Sequence, residues 1–327
     1  MTRPWIAALA LALPLTFAVV PAARAADAGA YPTKPVRIIV PFTPGGAADI
    51  MTRALGERLR QHLGQPVVIE NKPGAGTVIA SDYVAKQAPD GYTLLMAASS
   101  LGIAPAVFKT VGYDPVKDFT PITLVASVVH VLEVNAKLPV TNVKELIDYL
   151  KTSGKSVSYS SAGSGTSTHL EAELFKTMAG VQMSHIPYKG SAPALNDLVG
   201  GNVQVMFDAY ASSAPHIKSG SVRALAVTTA KRSATLPDLP TVAESGLPGY
   251  EAMPWLGLLA PAGAPPDVVK RVHAATQQAL KDPALREQFR ALGLDIIGNT
   301  PEQFATFIKQ DAQKWAKVAK ASGAQAD

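Results

Sequence analysis

Short apolar runs of strand type alternate with segments of helical periodicity along nearly the whole of this 327-residue chain. The alternation predicts parallel β-sheets covered by helices, because a crossover helix commonly joins neighbouring parallel strands. The expected strands are residues 36–40, 67–70, 93–97, 128–134, 157–160, 185–187, 203–207, 225–228 and 256–259. Near the C-terminus, residues 265–280, 283–292 and 301–321 are expected to form helices, each with proline at or near its first position.

Two turn-rich segments interrupt this pattern and predict crossings between domains. Residues 112–121 read Gly-Tyr-Asp-Pro-Val-Lys-Asp-Phe-Thr-Pro, and residues 237–254 contain prolines at 237, 240, 248 and 254. We therefore expect a discontinuous domain 1, residues 26–126 plus 250–327, and an inserted domain 2, residues 127–249. A single sheet decorated with loops is the alternative.

The N-terminus has the build of a secretory signal peptide. Arg3 precedes an apolar segment that ends in small residues, with alanines at 23 and 25, so cleavage is expected after residue 25. A membrane anchor is the alternative. Without residues 1–25 the chain keeps 28 of its 30 basic residues against 25 acidic ones, a net charge of about +3. This charge is too weak to indicate nucleic acid, and it suits a small anionic ligand.

The first candidate site follows the strand at residues 36–40. A Pro44-Gly45-Gly46 turn leads directly into a helical pattern, and a helix N-terminus offers free backbone N–H groups and a positive dipole end to an anion. The acidic residue in the first turn suits a helix start as well as a ligand contact. The predicted ligand-binding residues here are Phe42, Thr43, Gly45, Gly46, Ala47, Ala48 and Asp49.

The second candidate site is the stretch Ser-Ser-Ala-Gly-Ser-Gly-Thr-Ser-Thr-His at residues 160–169. It lies between a strand and a helical stripe, and its hydroxyls could cap the helix or bind an anion. Capping does not explain all of these hydroxyls together with two glycines. The predicted ligand-binding residues here are Ser164, Gly165, Thr166, Ser167 and His169, and weaker candidates elsewhere are Ser99, Tyr188 and Asp208.

Signatures of catalysis are missing from the sequence. The chain has no cysteine, no Gly-x-Ser-x-Gly, no His-Glu-x-x-His and no P-loop, and Gly74-Ala75-Gly76 lacks the third glycine of a dinucleotide motif. We therefore expect no catalytic residue, no metal and no cofactor. The alternative is an exported hydrolase that uses Ser164 or Thr166 with His169.

Seven short motifs, in order along the chain, resemble those of the extracytoplasmic solute-binding subunits of tripartite tricarboxylate transporters, the Bug/TctC-type family. They are Tyr-Pro-Thr-Lys-Pro at 31–35, Pro-Phe-Thr-Pro-Gly-Gly-Ala-Ala-Asp at 41–49, Glu-Asn-Lys-Pro-Gly-Ala-Gly at 70–76, Ala-Pro-Asp-Gly-Tyr-Thr at 88–93, residues 163–170, Pro-Tyr-Lys-Gly at 187–190 and Leu-Pro-Thr-Val-Ala-Glu at 239–244. One departure is visible, since Thr77 stands where the family's glycine run often continues.

The resemblance implies a two-domain α/β periplasmic-binding-protein fold of type II-like architecture, with a ligand cleft between the domains. It implies an organic carboxylate ligand, held by backbone amides and hydroxyls of residues 42–49 and 163–169 with bridging water. Asp208 and Tyr188 match positions near the family's cleft. The implied partners are a large and a small integral-membrane subunit, and a sensor kinase is the alternative partner. We expect a periplasmic monomer that is not an enzyme.

Overall fold

The computed structural model describes residues 1–2, 31–153 and 156–325. The chain divides into two compact units, Met1–Tyr31 and Pro32–Asp327, and every element below belongs to the second. Apart from its first two residues, the predicted signal peptide lies outside the described residues. Within the described part, no helix is long and apolar enough to cross a membrane.

Eleven strands, ten α-helices and one short 3-10 helix, Ala75–Thr77, are found in the described residues. The strands are β1 (Val36–Val40), β2 (Val67–Asn71), β3 (Thr93–Ala98), β4 (Phe119–Val128), β5 (His130–Asn135), β6 (Ser158–Ser161), β7 (Ser184–Pro187), β8 (Val205–Ala209), β9 (Val222–Val227), β10 (Trp255–Pro261) and β11 (Leu294–Ile296). The helices are α1 (Ala47–Leu63), α2 (Val78–Ala85), α3 (Ser100–Val107), α4 (Val143–Ser153), α5 (Ser167–Ala179), α6 (Ser191–Gly200), α7 (Tyr210–Lys218), α8 (Pro266–Ala279), α9 (Pro283–Ala291) and α10 (Pro301–Ser322).

The strands form two sheets, which define two lobes. Sheet 1 has the order β11-β4-β10-β3-β1-β2, and sheet 2 has the order β7-β6-β8-β5-β9. We call sheet 1 with its helices lobe 1, and sheet 2 with its helices lobe 2. The expectation of parallel sheets holds only in part, because β10 runs antiparallel to β3 and β4, β11 to β4, and β5 to β8 and β9. Strands β5 and β10 each receive the chain after a crossing between the sheets, whereas β11 stays at the edge of sheet 1.

The chain passes between the sheets twice. The first crossing is at Val129, between β4 of sheet 1 and β5 of sheet 2. The expectation of a crossing within residues 112–121 was wrong, because Phe119–Pro121 already belong to β4. The return lies between β9 and β10 and includes the proline-rich residues 237–254. The exact domain boundaries stay a prediction.

Helix α10 packs into the cores of both lobes. Phe304 and Ile308 on its N-terminal half join the lobe 1 core, and Trp315 and Ala319 join the lobe 2 core. Between them, the buried Asp311 carboxylate accepts hydrogen bonds from the indole N–H groups of Trp255, at 2.8 Å, and Trp315, at 2.9 Å. Burial raises the pKa of Asp311 to about 6 against the two hydrogen bonds that lower it.

Candidate functional site

Loop 1 (residues 41–46) joins β1 to α1, and the buried Asp49 carboxylate fixes its shape. One oxygen of Asp49 accepts the Gly45 N–H at 2.9 Å, and the other accepts the Asn71 side-chain amide at 2.9 Å. Arg53 contacts both oxygens, at 3.1 and 2.9 Å. Burial raises the pKa of Asp49, but the hydrogen bonds from Arg53, Gly45 and Asn71 outweigh it and hold the pKa below its usual value. Asp49 therefore shapes the loop, and its carboxylate has no oxygen left for a ligand.

The helix N-terminus that follows loop 1 is open. Gly46 occupies the N-cap position of α1 and supplies no side chain to cap it. Ile50 donates the first helical hydrogen bond, to the Gly46 carbonyl, and the N–H groups of Ala47, Ala48 and Asp49 have no partner among the described residues. A Cβ placed on Gly45 would meet no atom within 4 Å, and one on Gly46 would meet only the Thr43 carbonyl oxygen at 3.9 Å. The start of α1 thus carries three backbone N–H groups without a partner in the described part of the chain, next to two glycines with space beside them.

Loop 2 (residues 162–166) joins β6 to α5 and is held by its own hydroxyls. Thr166 donates from Oγ1 to the Gly163 carbonyl at 2.6 Å, and Thr168 accepts the Ala162 N–H at 2.9 Å. Ser161 Oγ accepts the Gly163 N–H at 3.2 Å. Thr166 sits at the N-cap of α5, but its hydroxyl contacts the Gly163 carbonyl and the Thr168 hydroxyl and caps no backbone N–H of the helix. The hydroxyl of Thr166 is therefore occupied by the loop itself.

Loop 2 and the start of α5 also carry backbone donors without a partner among the residues described, as the start of α1 does. The N–H groups of Ser164, Ser167, Thr168 and His169 have no hydrogen-bond partner within the described ranges. The half-buried side chains of Ser164 and Ser167 are likewise without a hydrogen bond there. Leu170 makes the first helical bond, to the Thr166 carbonyl at 3.2 Å. Like α1, helix α5 begins with free amides at the positive end of its dipole.

Three stacked aromatic rings, those of Tyr159, His185 and His169, adjoin loop 2. The rings of His169 and His185 stack with centroids 4.0 Å apart, and Tyr159 stacks on His185 at 4.8 Å. Nδ1 of His169 accepts the Gly165 N–H at 3.3 Å, and Nε2 of His185 lies 2.6 Å from Ser161 Oγ. Burial lowers the pKa of His169 to about 4 and that of His185 to about 3, so both rings are neutral at pH 7. In this geometry His169 positions loop 2.

One segment of lobe 1, residues 71–77, contacts both loops. At its start, the register of β1 and β2 places Asn71 opposite Val40, and its side chain donates to the Phe42 carbonyl at 3.0 Å. At its other end, a Cβ placed on Gly76 would lie 3.0 Å from the Ser164 carbonyl oxygen. The ring of Phe108 fills the space beside both glycines, at 3.3 Å from such a Cβ on Gly76 and 2.7 Å from one on Gly165. Lobe 1 therefore touches loop 2 of lobe 2 through glycines.

The three weaker candidates have partners within the protein. Ser99 Oγ accepts the Trp255 N–H at 2.9 Å and so ties β3 to β10. Tyr188 donates its hydroxyl to Asp197, while its backbone N–H bonds the Ser161 carbonyl at 3.0 Å beside loop 2. Asp208 is buried and accepts the Ser191 hydroxyl at 2.7 Å. Burial raises the pKa of Asp208.

Several residues at the site were not singled out from the sequence as contacts. Asn71, Gly76 and Phe108 link the loops, and a signal for the first two was present in the Asn-Lys-Pro-Gly-Ala-Gly motif. Phe108 follows an apolar helix and carries no local signal of this role. In the part of the chain that the structure describes, no group of three His, Asp or Glu side chains could hold a metal ion.

Comparisons with known proteins identify the family. Residues 51–324 match the family model described as tripartite tricarboxylate transporter family receptor. The chain belongs to this family. BugT of Bordetella pertussis is 39% identical over 301 residues, which cover 91% of this chain and 92% of BugT. The chain thus spans nearly the full length of this relative.

Solved structures of similar proteins agree with the fold. The periplasmic binding protein BugD is 40% identical with a TM-score of 0.82, over 90% of this chain and 99% of BugD. Rpa4515 of R. palustris, solved with adipate, is 39% identical with a TM-score of 0.83, over 90% of this chain and 98% of that one. The architecture is that of a two-domain periplasmic binding protein with a ligand cleft, as the sequence predicted.

Proposed function

We propose that this receptor captures a small organic carboxylate outside the cytoplasmic membrane and delivers it to a tripartite tricarboxylate-type secondary transporter. The observation that carries the proposal is the pair of uncapped helix N-termini, α1 and α5, which leave amides without partners on two different lobes. The adipate bound to Rpa4515, a relative of similar sequence, supports a carboxylate as the ligand.

The arrangement favours an anion over other ligands for a physical reason. Hydrogen bonds to a charged group contribute about 1.5–3 kcal/mol each. Four such bonds from the two helix starts therefore contribute about 6–12 kcal/mol, which offsets much of the cost of ordering a small acid. Because the donors are divided between two lobes, a ligand that uses both sets binds a closed form better than an open one. Binding then shifts the population towards closure, and closure can signal occupancy to the membrane subunits.

The contacts of His169 argue against the hydrolase alternative. Its Nδ1 accepts the Gly165 N–H, burial lowers its pKa to about 4 and so makes the ring a weak base, and Thr166 donates its hydroxyl to the Gly163 carbonyl. A serine or threonine nucleophile needs a base within hydrogen-bond reach of its hydroxyl. We therefore propose a binding protein without catalytic activity, which acts as a periplasmic monomer. A sensor kinase stays the alternative partner to the two membrane subunits.

Calorimetry on protein purified from the periplasm of an expressing bacterium tests this function. The panel comprises succinate, malate, glutarate, adipate, citrate, benzoate and glutamate, with the methyl esters of succinate and adipate as neutral controls. We expect saturable one-to-one binding of at least one acid, none of the esters, and recovery of the acid unchanged. Turnover of an ester, or failure of every acid to bind folded protein, would refute the proposal.

A further inference from the structure

The segment between β2 and α2 holds an unusual backbone conformation. Ala75 and Thr77 are the two non-glycine residues with positive φ among the described residues, at 46° and 80°, and they flank Gly76 at 56°. Side chains with a Cβ are disfavoured in this region, above all β-branched ones such as threonine. Strain of this kind persists where surrounding contacts impose it, and it concentrates at ligand clamps. Here the Thr77 N–H bonds the Gly74 carbonyl at 3.0 Å, and Ser81 bonds the Thr77 carbonyl at 3.1 Å.

The side chain of Thr77 has no partner inside the protein. The residue is only 4% exposed, and its Oγ1 is shielded from solvent without a hydrogen bond to any described residue. Thr77 occupies the N-cap position of α2, where a threonine normally bonds the first turn, yet its left-handed backbone prevents such a bond. Buried hydroxyls in folded proteins are nearly always hydrogen-bonded, because losing water without a replacement is costly. The missing partner of Thr77 is therefore informative.

The position of Thr77 relates it to the candidate site. It follows Gly76, which touches the Ser164 carbonyl of loop 2, and it belongs to the segment whose Asn71 holds loop 1. Thr77 thus lies where lobe 1 meets loop 2, on neither of the two amide-bearing helices. If the amides of α1 and α5 bind one carboxylate of a ligand, the other end of the ligand contacts a different part of the cleft.

We propose that Thr77 Oγ1 hydrogen-bonds the second carboxylate of a bound dicarboxylate and so selects dicarboxylates over monocarboxylates. The inference rests on the proposed function. A single hydroxyl donates one hydrogen, so it serves one oxygen of the distal carboxylate, and the strained backbone of Thr77 keeps it in place before the ligand arrives.

Isosteric substitution tests the hydroxyl. Thr77→Val keeps the β-branched shape and the backbone strain but lacks the hydroxyl, and Thr77→Ser keeps the hydroxyl. The ligands are whichever of succinate, glutarate and adipate binds the wild type most tightly, and the monocarboxylate of equal chain length, butanoate, pentanoate or hexanoate. We expect Thr77→Val to raise the Kd of the dicarboxylate at least 10-fold, or about 1.4 kcal/mol, and that of the monocarboxylate less than 2-fold. Thr77→Ser is expected to stay within 3-fold for both.

Two further measurements separate a ligand role from a structural one. Ala75→Gly relieves the neighbouring positive φ without touching a hydroxyl, so it should raise the unfolding midpoint and leave both affinities unchanged. The ligand-free Thr77→Val protein should unfold at the same midpoint as the wild type or higher, because no hydrogen bond is lost.

The following results would overturn the inference. One is a Thr77→Val protein that is unfolded or less stable than the wild type. Another is a Thr77→Val protein whose dicarboxylate Kd stays within 2-fold of wild type, or whose Kd rises equally for the dicarboxylate and the monocarboxylate. A third is a loss of affinity in Ala75→Gly. Failure of all three dicarboxylates to bind the wild type would also overturn it, whereas the proposed function fails only if the whole acid panel does.

Discussion

Gly46→Glu should abolish carboxylate binding without unfolding the protein. The backbone at Gly46, with φ −76° and ψ 166°, is open to any residue, and the nearest atom to a new Cβ is 3.9 Å away. From this N-cap position a glutamate carboxylate reaches the free amides of Ala48 and Asp49. Its charge near the helix N-terminus adds about 0.3–1 kcal/mol to the free energy of unfolding, so the melting temperature should not fall.

The loss of affinity follows from two effects at this position. The ligand loses about two hydrogen bonds to a charged group, each contributing about 1.5–3 kcal/mol. It also meets a like charge, which costs about 4 kcal/mol at 4 Å with an effective dielectric constant of about 20. Because the site is exposed, salt screens part of this repulsion. Taking about 3 kcal/mol as the minimum, the Kd should rise at least about 100-fold.

Calorimetry with the tightest-binding acid measures the effect, and Gly46→Gln is the matched control. Glutamine has the same shape without the charge, so its Kd should rise less than about 10-fold. Raising the salt to about 1 M should weaken the defect of Gly46→Glu and leave that of Gly46→Gln nearly unchanged. A folded Gly46→Glu protein with wild-type affinity would refute the placement of the anion at the start of α1.

Three other substitutions probe the supports of the site. His169→Phe keeps the ring stack but orphans the Gly165 N–H, so it should lower the free energy of unfolding by about 1–3 kcal/mol at pH 7, measured by urea titration. The pKa of His169 is lowered to about 4 from 6.5, so the stabilising contribution of the neutral ring is complete above pH 6.5 and declines as the pH falls. Between pH 6.5 and 4 the free energy of unfolding of the variant should therefore fall less steeply than that of the wild type, with a difference in slope of at most about 1.4 kcal/mol per pH unit. An unchanged slope would contradict this. The pKa of Asp311 is raised to about 6 from 3.8, so wild-type stability from this group falls as the pH rises from 3.8 to 6, and Asp311→Asn should remove that dependence in thermal melts. Gly76→Ala places a Cβ 3.0 Å from the Ser164 carbonyl oxygen at φ 56°, so it should weaken acid binding several-fold in calorimetry, and wild-type affinity would show that this contact is not needed for closure.

The sequence predicted correctly the ends of those elements that are marked by capping residues, prolines or glycine turns. Strand β1 has the expected bounds, and α10 begins at Pro301 after a Thr300 capping box, in which the N-cap and Gln303 bond each other. Strand β4 was missed in most of its length because Pro121 lies inside it. Pro121 lies where the register of β4 against β10 shifts, opposite the step from Leu258 to Leu259. At such an irregularity the missing N–H of proline removes no regular hydrogen bond of the sheet.

The contacts of individual side chains at the candidate site could be predicted less well than the strand–loop–helix elements that carry them. Both glycine loops were identified as helix starts, but the role of Asp49 depends on Asn71, which is 22 positions away and reaches it only through the pairing of β1 with β2. Likewise, a glycine followed by a threonine does not predict a left-handed backbone at the threonine, so the conformation of Thr77 could not be foreseen. Long-range contacts decide which hydroxyl or carboxylate is free, and these contacts exist only in the folded chain.

Helix α10 has a consequence for the order in which the protein can fold. The strands of lobe 2 end at Val227, yet its core includes Trp315 and Ala319, which are synthesised almost a hundred residues later. Until those residues arrive, Phe175 and its neighbours lack part of their apolar cover. A ribosome stalled before residue 315 would leave an apolar surface of lobe 2 exposed, which chaperones and proteases can recognise. Only chains synthesised past this point can complete the cores of both lobes.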